Sequence, residues 1–432
     1  MISAPRGAAD VLPPEQPYWR KAIDASERLC RLFGYGRIET PVFEEAALFE
    51  RGAGEGSDVV RKEMYVFEDR SGDRLALKPE ATAGVCRAYL QHGMKNLPQP
   101  VRLYCLSPAF RYERPQAGRR RQHTQFDVEA IGDADPAIDA EVIELLWRLY
   151  ADLGLGDLVL LLNSIGDRNC RPRYLEALKA YYQPHLTSVC RDCRDRYERN
   201  PLRLLDCKQE SCQPVIAGAP SIVDYLCDDC AAHFADVRRF LDALAVPYKL
   251  TPHLVRGLDY YTRTVFEVQP RGGGAQSTIG AGGRYDDLIE ELGGPPTPAM
   301  GFATGIERII LNMKQRKASA PPPDAPDAYV AHQGTAARIE ALKLASLLRR
   351  DGVSAVLATG ERSLKSQMRQ ADALGAKWVL ILGERELAAG TVVVRNMADA
   401  SQREVPAQKI AALLKAALAV RKPRRVRSSA NG

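Results

Sequence analysis

The chain has 432 residues, 45% of them hydrophobic and 26% charged, with a net charge of +6. That composition predicts a globular protein of two or three domains with ample core. No apolar run reaches the length of a membrane span and residues 1–16 lack the apolar core of a signal peptide, a pattern that predicts a cytoplasmic chain. The positive excess permits nucleic-acid binding without requiring it, and it concentrates at 114–121 and 421–427.

In chain order, Ile23, Leu29, Leu32 and Phe33 among charges predict an amphipathic helix over 15–33. Gly34 and Gly36 end it, and Arg37–Phe43 reads as a strand interrupted by Pro41, an edge able to pair with a second subunit. Met64–Phe67 and Leu75–Leu77 form a hairpin, after which Lys78-Pro79-Glu80-Ala81-Thr82 leads into a helix. At such a junction the spacing by itself favours ordinary capping by Glu80 and Thr82 over ligand binding.

Residues 101–131 read as a long antiparallel hairpin with a basic loop. Alternation would put Arg111 and Glu113 on one face of the first strand. It would put Gln125, Asp127 and Glu129 on one face of the second, with Phe126 and Val128 on the other. A solvated amphipathic face is the plain alternative. The loop's Arg114, Arg119, Arg120 and Arg121 beside an acidic row favour a site for a substrate with both an ammonium and phosphates.

A helix follows at Asp139–Leu153 and a buried strand at Leu158–Leu162. Residues 168–245 are helical and charged and hold six cysteines in two CxxC pairs, Cys190/Cys193 and Cys227/Cys230, with Cys207 and Cys212 between. Four thiolates suit a structural zinc, and the two pairs are the expected ligands, although reduced, metal-free thiols also fit the pattern. Sheet pattern returns at 246–268, and the glycines of Gly280-Ala281-Gly282-Gly283 allow backbone to approach a ligand closely. Gly301–Ile310 reads as a strand turning into a helix, with Arg308 in its first turns, either near a bound phosphate or in a surface ion pair. A Pro-rich linker at 318–327 precedes alternating strands and helices at 328–420, which predict a mostly parallel sheet in a binding module. The tail at 421–432 is basic.

Over nearly its whole length the sequence resembles the histidyl-tRNA synthetases, a family of class II aminoacyl-tRNA synthetases. GYGRIETPVFE, AFRYERPQAGRRRQHTQFDVEAIG and GFATGIERII resemble the three class motifs, and LVRGLDYYT and GAGGRYD the two histidine-specific ones. The resemblance implies an α+β fold: an antiparallel six-stranded catalytic sheet flanked by helices at 1–317, a helical insertion at 168–245 and a C-terminal α/β anticodon-binding domain. It also implies a homodimer. The implied partners are L-histidine, ATP with Mg²⁺ and tRNA(His). Arg111 and Arg256 would bracket the α-phosphate, Arg308 would take the γ-phosphate, and Glu113 and Arg121 would help hold ATP. Glu80, Thr82 and Gln125 would accept from the α-ammonium. Glu129 and Tyr261 would read the imidazole, with Tyr260 and Tyr285 lining the pocket. The loop at 114–122 would meet the tRNA acceptor stem. His123 stands where the family often carries an aromatic residue that stacks on adenine, and Ala81 where glycine is common. The rival readings are a non-catalytic regulatory paralogue in histidine biosynthesis, another class II synthetase, and a tRNA-binding protein with a decayed site. The C-terminal domain, LVRGLDYYT and the three arginines argue against them.

Overall fold

The computed structural model describes residues 2–54, 57, 59–113, 120–272, 277–317, 322 and 324–421. The chain forms two compact units, 1–321 and 322–432, divided inside the expected linker. Among the described residues no helix is long and apolar enough to cross a membrane.

The first unit is built on an eight-stranded sheet. Its strands are β1 (Gly36–Arg37), β5 (Val101–Phe110), β6 (Gln122–Ile131), β7 (Leu158–Ser164), β8 (Tyr248–Leu250), β9 (Thr262–Pro270), β10 (Gly280–Arg284) and β11 (Ala299–Gly305), in the order β1-β5-β6-β11-β10-β9-β7-β8. The six strands from β5 to β7 in that order pair antiparallel. The count exceeds the expected six because β1 and β8 add short parallel strands at the two edges. Pro41 splits the expected strand at 37–43 into β1 and β2 (Phe43–Glu45), since proline has no N–H to give a ladder. β2 joins β3 (Tyr65–Glu68) and β4 (Arg74–Leu77) in a separate three-stranded sheet.

The expected hairpin is β5–β6, with Leu103 opposite Glu129, Cys105 opposite Asp127 and Ser107 opposite Gln125. Phe126 and Val128 point into the core, where the Tyr104, Phe126 and Phe302 rings meet edge-on at centroid distances of 6.2 and 5.6 Å. The strand ends at Phe110, however, so Arg111 and Glu113 are not on a strand face. The Tyr112 N–H leaves the hairpin for the Glu63 carbonyl at 2.7 Å, and the Glu113 N–H turns back to the Arg111 carbonyl at 2.7 Å.

Helices α1 (Gln16–Leu32), α4 (Pro136–Asp152) and α10 (Ile306–Gln315) cover the apolar face. Asp135 caps α4, accepting the Ala137 N–H at 2.8 Å, with Pro136 pre-set in the first turn. Each fully buried leucine or phenylalanine here contributes roughly 1.5–3 kcal/mol. The opposite face carries α2 (Ala46–Ala53), α3 (Thr82–Gln91) and α9 (Leu288–Glu291).

The cysteine-rich stretch holds α5 (Arg171–Tyr182), α6 (Arg191–Arg199), α7 (Gln213–Ala217) and α8 (Asp228–Ala243). It shares its core with the catalytic part. Phe234, Val237 and Leu241 of α8 pack with α4, and Tyr174, Leu178 and Leu204 pack in one cluster with Tyr260, Tyr261 and Tyr285.

The second unit contains β12 (Ala328–His332), α11 (Thr335–Arg350), β13 (Ala355–Leu357), α12 (Leu364–Ala373), β14 (Trp378–Leu382), α13 (Glu384–Ala389), β15 (Thr391–Asn396), β16 (Gln402–Pro406) and α14 (Ile410–Arg421). β13, β12 and β14 are parallel, as expected, but β15 and β16 run antiparallel. The six-residue α13 is too short for a crossover, so the chain doubles back. A tight turn then makes the unforeseen β16, the Asn396 N–H meeting the Ser401 carbonyl at 2.9 Å.

Candidate active site

A cavity of about 530 Å³ lies against the polar face of β6 and the neighbouring strands. Its acidic side is built by β6 and the start of α3. Glu80 accepts the Thr82 and Ala83 N–H groups at 2.8 and 3.0 Å from just before the N-cap residue Ala81, so the capping reading holds for Glu80 but not for Thr82. Glu80 also lines the cavity. The Thr82 hydroxyl, expected to accept from an ammonium, donates to Glu129 Oε1 at 2.7 Å. The Tyr285 hydroxyl donates to Glu129 Oε2. Glu129 is therefore held from both sides. Its position also demands glycine at 301, because a Cβ there would lie 1.9 Å from Glu129 Oε2.

Gln125 is buried beside this group, and its Oε1 has no partner among the described residues. Asp127 belongs to the same row but not to the cavity wall. Its Oδ2 accepts from the Cys105 thiol at 3.7 Å and its Oδ1 has no partner among the described residues. Burial raises the pKa values of all three carboxylates. Asp127 is pushed up to about 8 by burial and by the nearby Glu80, and Glu129 well above the usual carboxylate range. Glu80 is also raised by burial, against the pull of the Ala83 and Thr82 hydrogen bonds. The cation that Lys78 supplies nearby offsets part of the effect of burial on Asp127.

Tyr260 and Tyr261 enclose the pocket, with ring centroids 4.7 Å apart, and Tyr260 meets Tyr285 at 5.7 Å. The glycines of β10 permit this, since a Cβ at Gly283 would sit 2.8 Å from the Tyr261 ring.

The other side of the cavity carries the expected arginines. Arg111 is fixed by its Nε bond to the Pro79 carbonyl at 2.8 Å. Arg308, in the first turn of α10, donates to the Thr278 carbonyl. Arg256 is ion-paired with Glu267 and lies 5.6 Å from the centre of the Tyr261 ring. Arg111 and Arg308 both act on His123, whose pKa falls to about 3 through burial and these two cations. His123 is thus neutral and lines the same cavity. Glu113 is on the wall, but Arg120 stands there in place of Arg121. Arg121 is occupied elsewhere, its guanidinium 3.7 Å from the centre of the Tyr112 ring. The basic loop at 114–122 lies largely outside the described residues.

Glu267 was not anticipated. It accepts from Arg256, from Gln269 Nε2 at 2.9 Å and from the Thr278 hydroxyl at 2.7 Å, and so aims Arg256. A single carboxylate within the largely buried strand Thr262–Pro270 was the available signal. Arg284 was also missed. It is fully buried, with Nε 2.7 Å from Asp139 and Nη1 3.0 Å from Asp286, and pins α4 to β10.

The four expected zinc ligands do not come together. Cys190 and Cys193 group with Cys207 and Cys212, whereas Cys227 and Cys230 group with Asp167 and Cys170. The two CxxC pairs sit at the starts of different helices, α6 and α8, each closing its own cluster.

The family model for histidyl-tRNA synthetase matches residues 7–309, and that for an anticodon-binding domain matches 327–417. A histidine–tRNA ligase of Dehalococcoides mccartyi is 56% identical over 406 residues, covering 94% of this chain and 97% of that one. The crystal structure of apo S. aureus histidyl-tRNA synthetase superposes with a TM-score of 0.81 at 36% identity, covering 96% of this chain and all of that one. A Bacillus halodurans structure described as an ATP phosphoribosyltransferase regulatory subunit/histidyl-tRNA synthetase shares the fold, with a TM-score of 0.64 at 22% identity.

Proposed function

The chain belongs to the histidyl-tRNA synthetase family, and we propose how its residues divide the work of ligating histidine to tRNA. The activity is that of a histidine–tRNA ligase, which activates histidine with ATP and passes the histidyl group to tRNA. The chain accordingly binds histidine, ATP and tRNA. The regulatory reading loses to a relative at 56% identity over 94% of the chain.

One observation carries the division of roles: a single cavity has buried carboxylates and an amide oxygen unpartnered among the described residues on one side and Arg111, Arg256 and Arg308 on the other. Histidine has matching ends. Its α-ammonium would meet Glu80 and Gln125. Its ring N–H would donate to Glu129, whose oxygens Thr82 and Tyr285 hold in place, and Tyr261 would donate to the other ring nitrogen. Tyr260 and Tyr285 shape the pocket. A pocket built on such polar pairs rejects analogues lacking a ring nitrogen by large factors.

In the first step a histidine carboxylate oxygen attacks the α-phosphorus, and the bond to the β-phosphate oxygen breaks to release pyrophosphate. No protein nucleophile takes part. The protein aligns the reactants and neutralises charge developing on the phosphate. Arg111 and Arg256 would do this at the α-phosphate and Arg308 at the γ-phosphate. Glu113 and Arg120 would hold the remainder of ATP, and Mg²⁺ would enter with it as substrate. In the second step a hydroxyl of the tRNA 3′ ribose attacks the histidyl carbonyl and AMP departs.

The active protein would be a cytoplasmic homodimer. A second copy would cover Phe43, Val66 and Phe67, exposed on the three-stranded sheet, and Val42 just before it. Unit 322–432 would read the anticodon, whose unpaired bases are accessible. ATP–pyrophosphate exchange with each amino acid in turn tests the whole reading. Exchange only with histidine is expected, and stronger exchange with any other amino acid would overturn it.

A further inference from the structure

Seven of the ten cysteines gather in two clusters, each with four ligand atoms within 4.8 Å of one another. We propose that the chain carries two structural zinc centres, one on Cys190, Cys193, Cys207 and Cys212, the other on Cys170, Cys227, Cys230 and a carboxylate oxygen of Asp167. Together they would clamp the helical segment onto the loop that bears Arg256 and Tyr261.

The argument begins with distances. Four thiolates at about 2.3 Å from a zinc ion stand roughly 3.8 Å apart along a tetrahedral edge. Cys190 and Cys207 have their sulfurs 3.8 Å apart. Two disulfides would need only pairwise approach, whereas mutual proximity of all four groups is what one ion requires. All members except the half-buried Cys190, Cys227 and Asp167 are buried.

The backbone already favours thiolates. The Cys193 N–H points to the Cys190 sulfur at 3.4 Å, and the Cys190 N–H to the Cys212 sulfur at 3.3 Å. In the second cluster the Asp167 N–H meets the Cys170 sulfur at 3.3 Å. Cys190, Cys170 and Cys227 are the N-cap residues of α6, α5 and α8, and at α6 the Cys190 sulfur accepts from the first turn. The ions bind thiolates, the displaced thiol protons passing to solvent. With four protein ligands each, the centres have no open position for substrate and are structural.

Their placement gives them a task. Beside the first cluster, Arg203 pairs with Asp206 at 3.2 Å and donates to the Arg256 carbonyl at 3.2 Å. Asn200 Nδ2 donates to Asp259 at 2.6 Å. Beside the second, Asp167 pairs with Arg263 at 3.5 Å, and Arg171 donates to the Tyr261 carbonyl at 2.7 Å. Arg263 has φ +47° at a register shift between β9 and β10, an unusual backbone held by reciprocal 2.7 Å bonds with Ile165 and Gly166. The segment from Arg256 to Arg263 is therefore gripped from both clusters.

Metal analysis of the full chain, purified without chelators, tests the proposal and needs no measurement of ligase activity. About two zinc ions per chain are expected, with X-ray absorption giving three to four sulfurs per ion at about 2.3 Å. Cys193→Ser should remove about one ion, and the milder Asp167→Asn should speed release of the other to a chromogenic chelator while leaving the first untouched. Should the variants fail to fold, the wild-type zinc content and sulfur count still decide. Zinc near zero or near one per chain, cysteines recovered as disulfides, or both substitutions acting on the same ion would overturn it.

Discussion

Replacing Arg256 with alanine separates transition-state stabilisation from substrate binding. The guanidinium is partly buried, paired with Glu267 and set beside Tyr261 on the cavity wall. Removing one pre-aimed donor to a developing oxyanion costs about 2.7–4 kcal/mol, or roughly 10²–10³ in rate. The substitution leaves Glu267 still bonded to Gln269 at 2.9 Å and Thr278 at 2.7 Å, so the carboxylate is not stranded and the local fold should hold. Histidine's proposed contacts, at Glu80, Gln125, Glu129 and Tyr261, do not include Arg256. Single-turnover adenylate formation should therefore slow by about 10²–10³ while histidine affinity, read by calorimetry, changes by less than about threefold. Loss of rate and of affinity by the same factor would refute the assignment, as would a rate within about threefold of wild type.

Glu129→Gln should raise KM for histidine by about 10–150-fold, the worth of a charge-assisted hydrogen bond of roughly 1.5–3 kcal/mol, with little change in kcat because the ring contact is equal in ground and transition states. For pH, Asp127 has its folded pKa raised from 3.8 to about 8, so its contribution to stability is fully present below pH 3.8 and is lost as pH rises through 8. Binding of a cationic ammonium favours the ionised row, so histidine binding should release protons. Its affinity should weaken as pH falls below about 8, and Asp127→Asn should flatten that dependence in calorimetry run in two buffers. Arg284→Met strands the fully buried Asp139 carboxylate and should lower the unfolding free energy of the catalytic unit by about 3–5 kcal/mol in urea titrations. Adding Asp139→Asn should recover part of that loss.

Period-2 alternation in 122–131 determined that Phe126 and Val128 face the core and Gln125, Asp127 and Glu129 the opposite way, because side-chain direction in a strand is a local property. Helical spacing likewise located α1 and α4 to within three residues at either end. The motifs identified the family for a similar reason, since residue identity at fixed spacing survives without knowledge of the fold. What pairs with what was decided only in three dimensions. Arg111 and Glu113 leave the strand because Tyr112 finds a better backbone partner at Glu63, far away in sequence. Glu80 could be read as a cap or as a cavity-lining acid, and the fold makes it both, by turning the start of α3 toward the cavity. Glu267 matters because β9 sets it against an arginine eleven residues earlier. The cysteines show the limit most plainly. Spacing grouped two CxxC pairs into one site, but each pair closes a separate cluster, because the loop cysteines 207 and 212 and the distant Asp167 and Cys170 reach their partners only once the helices pack.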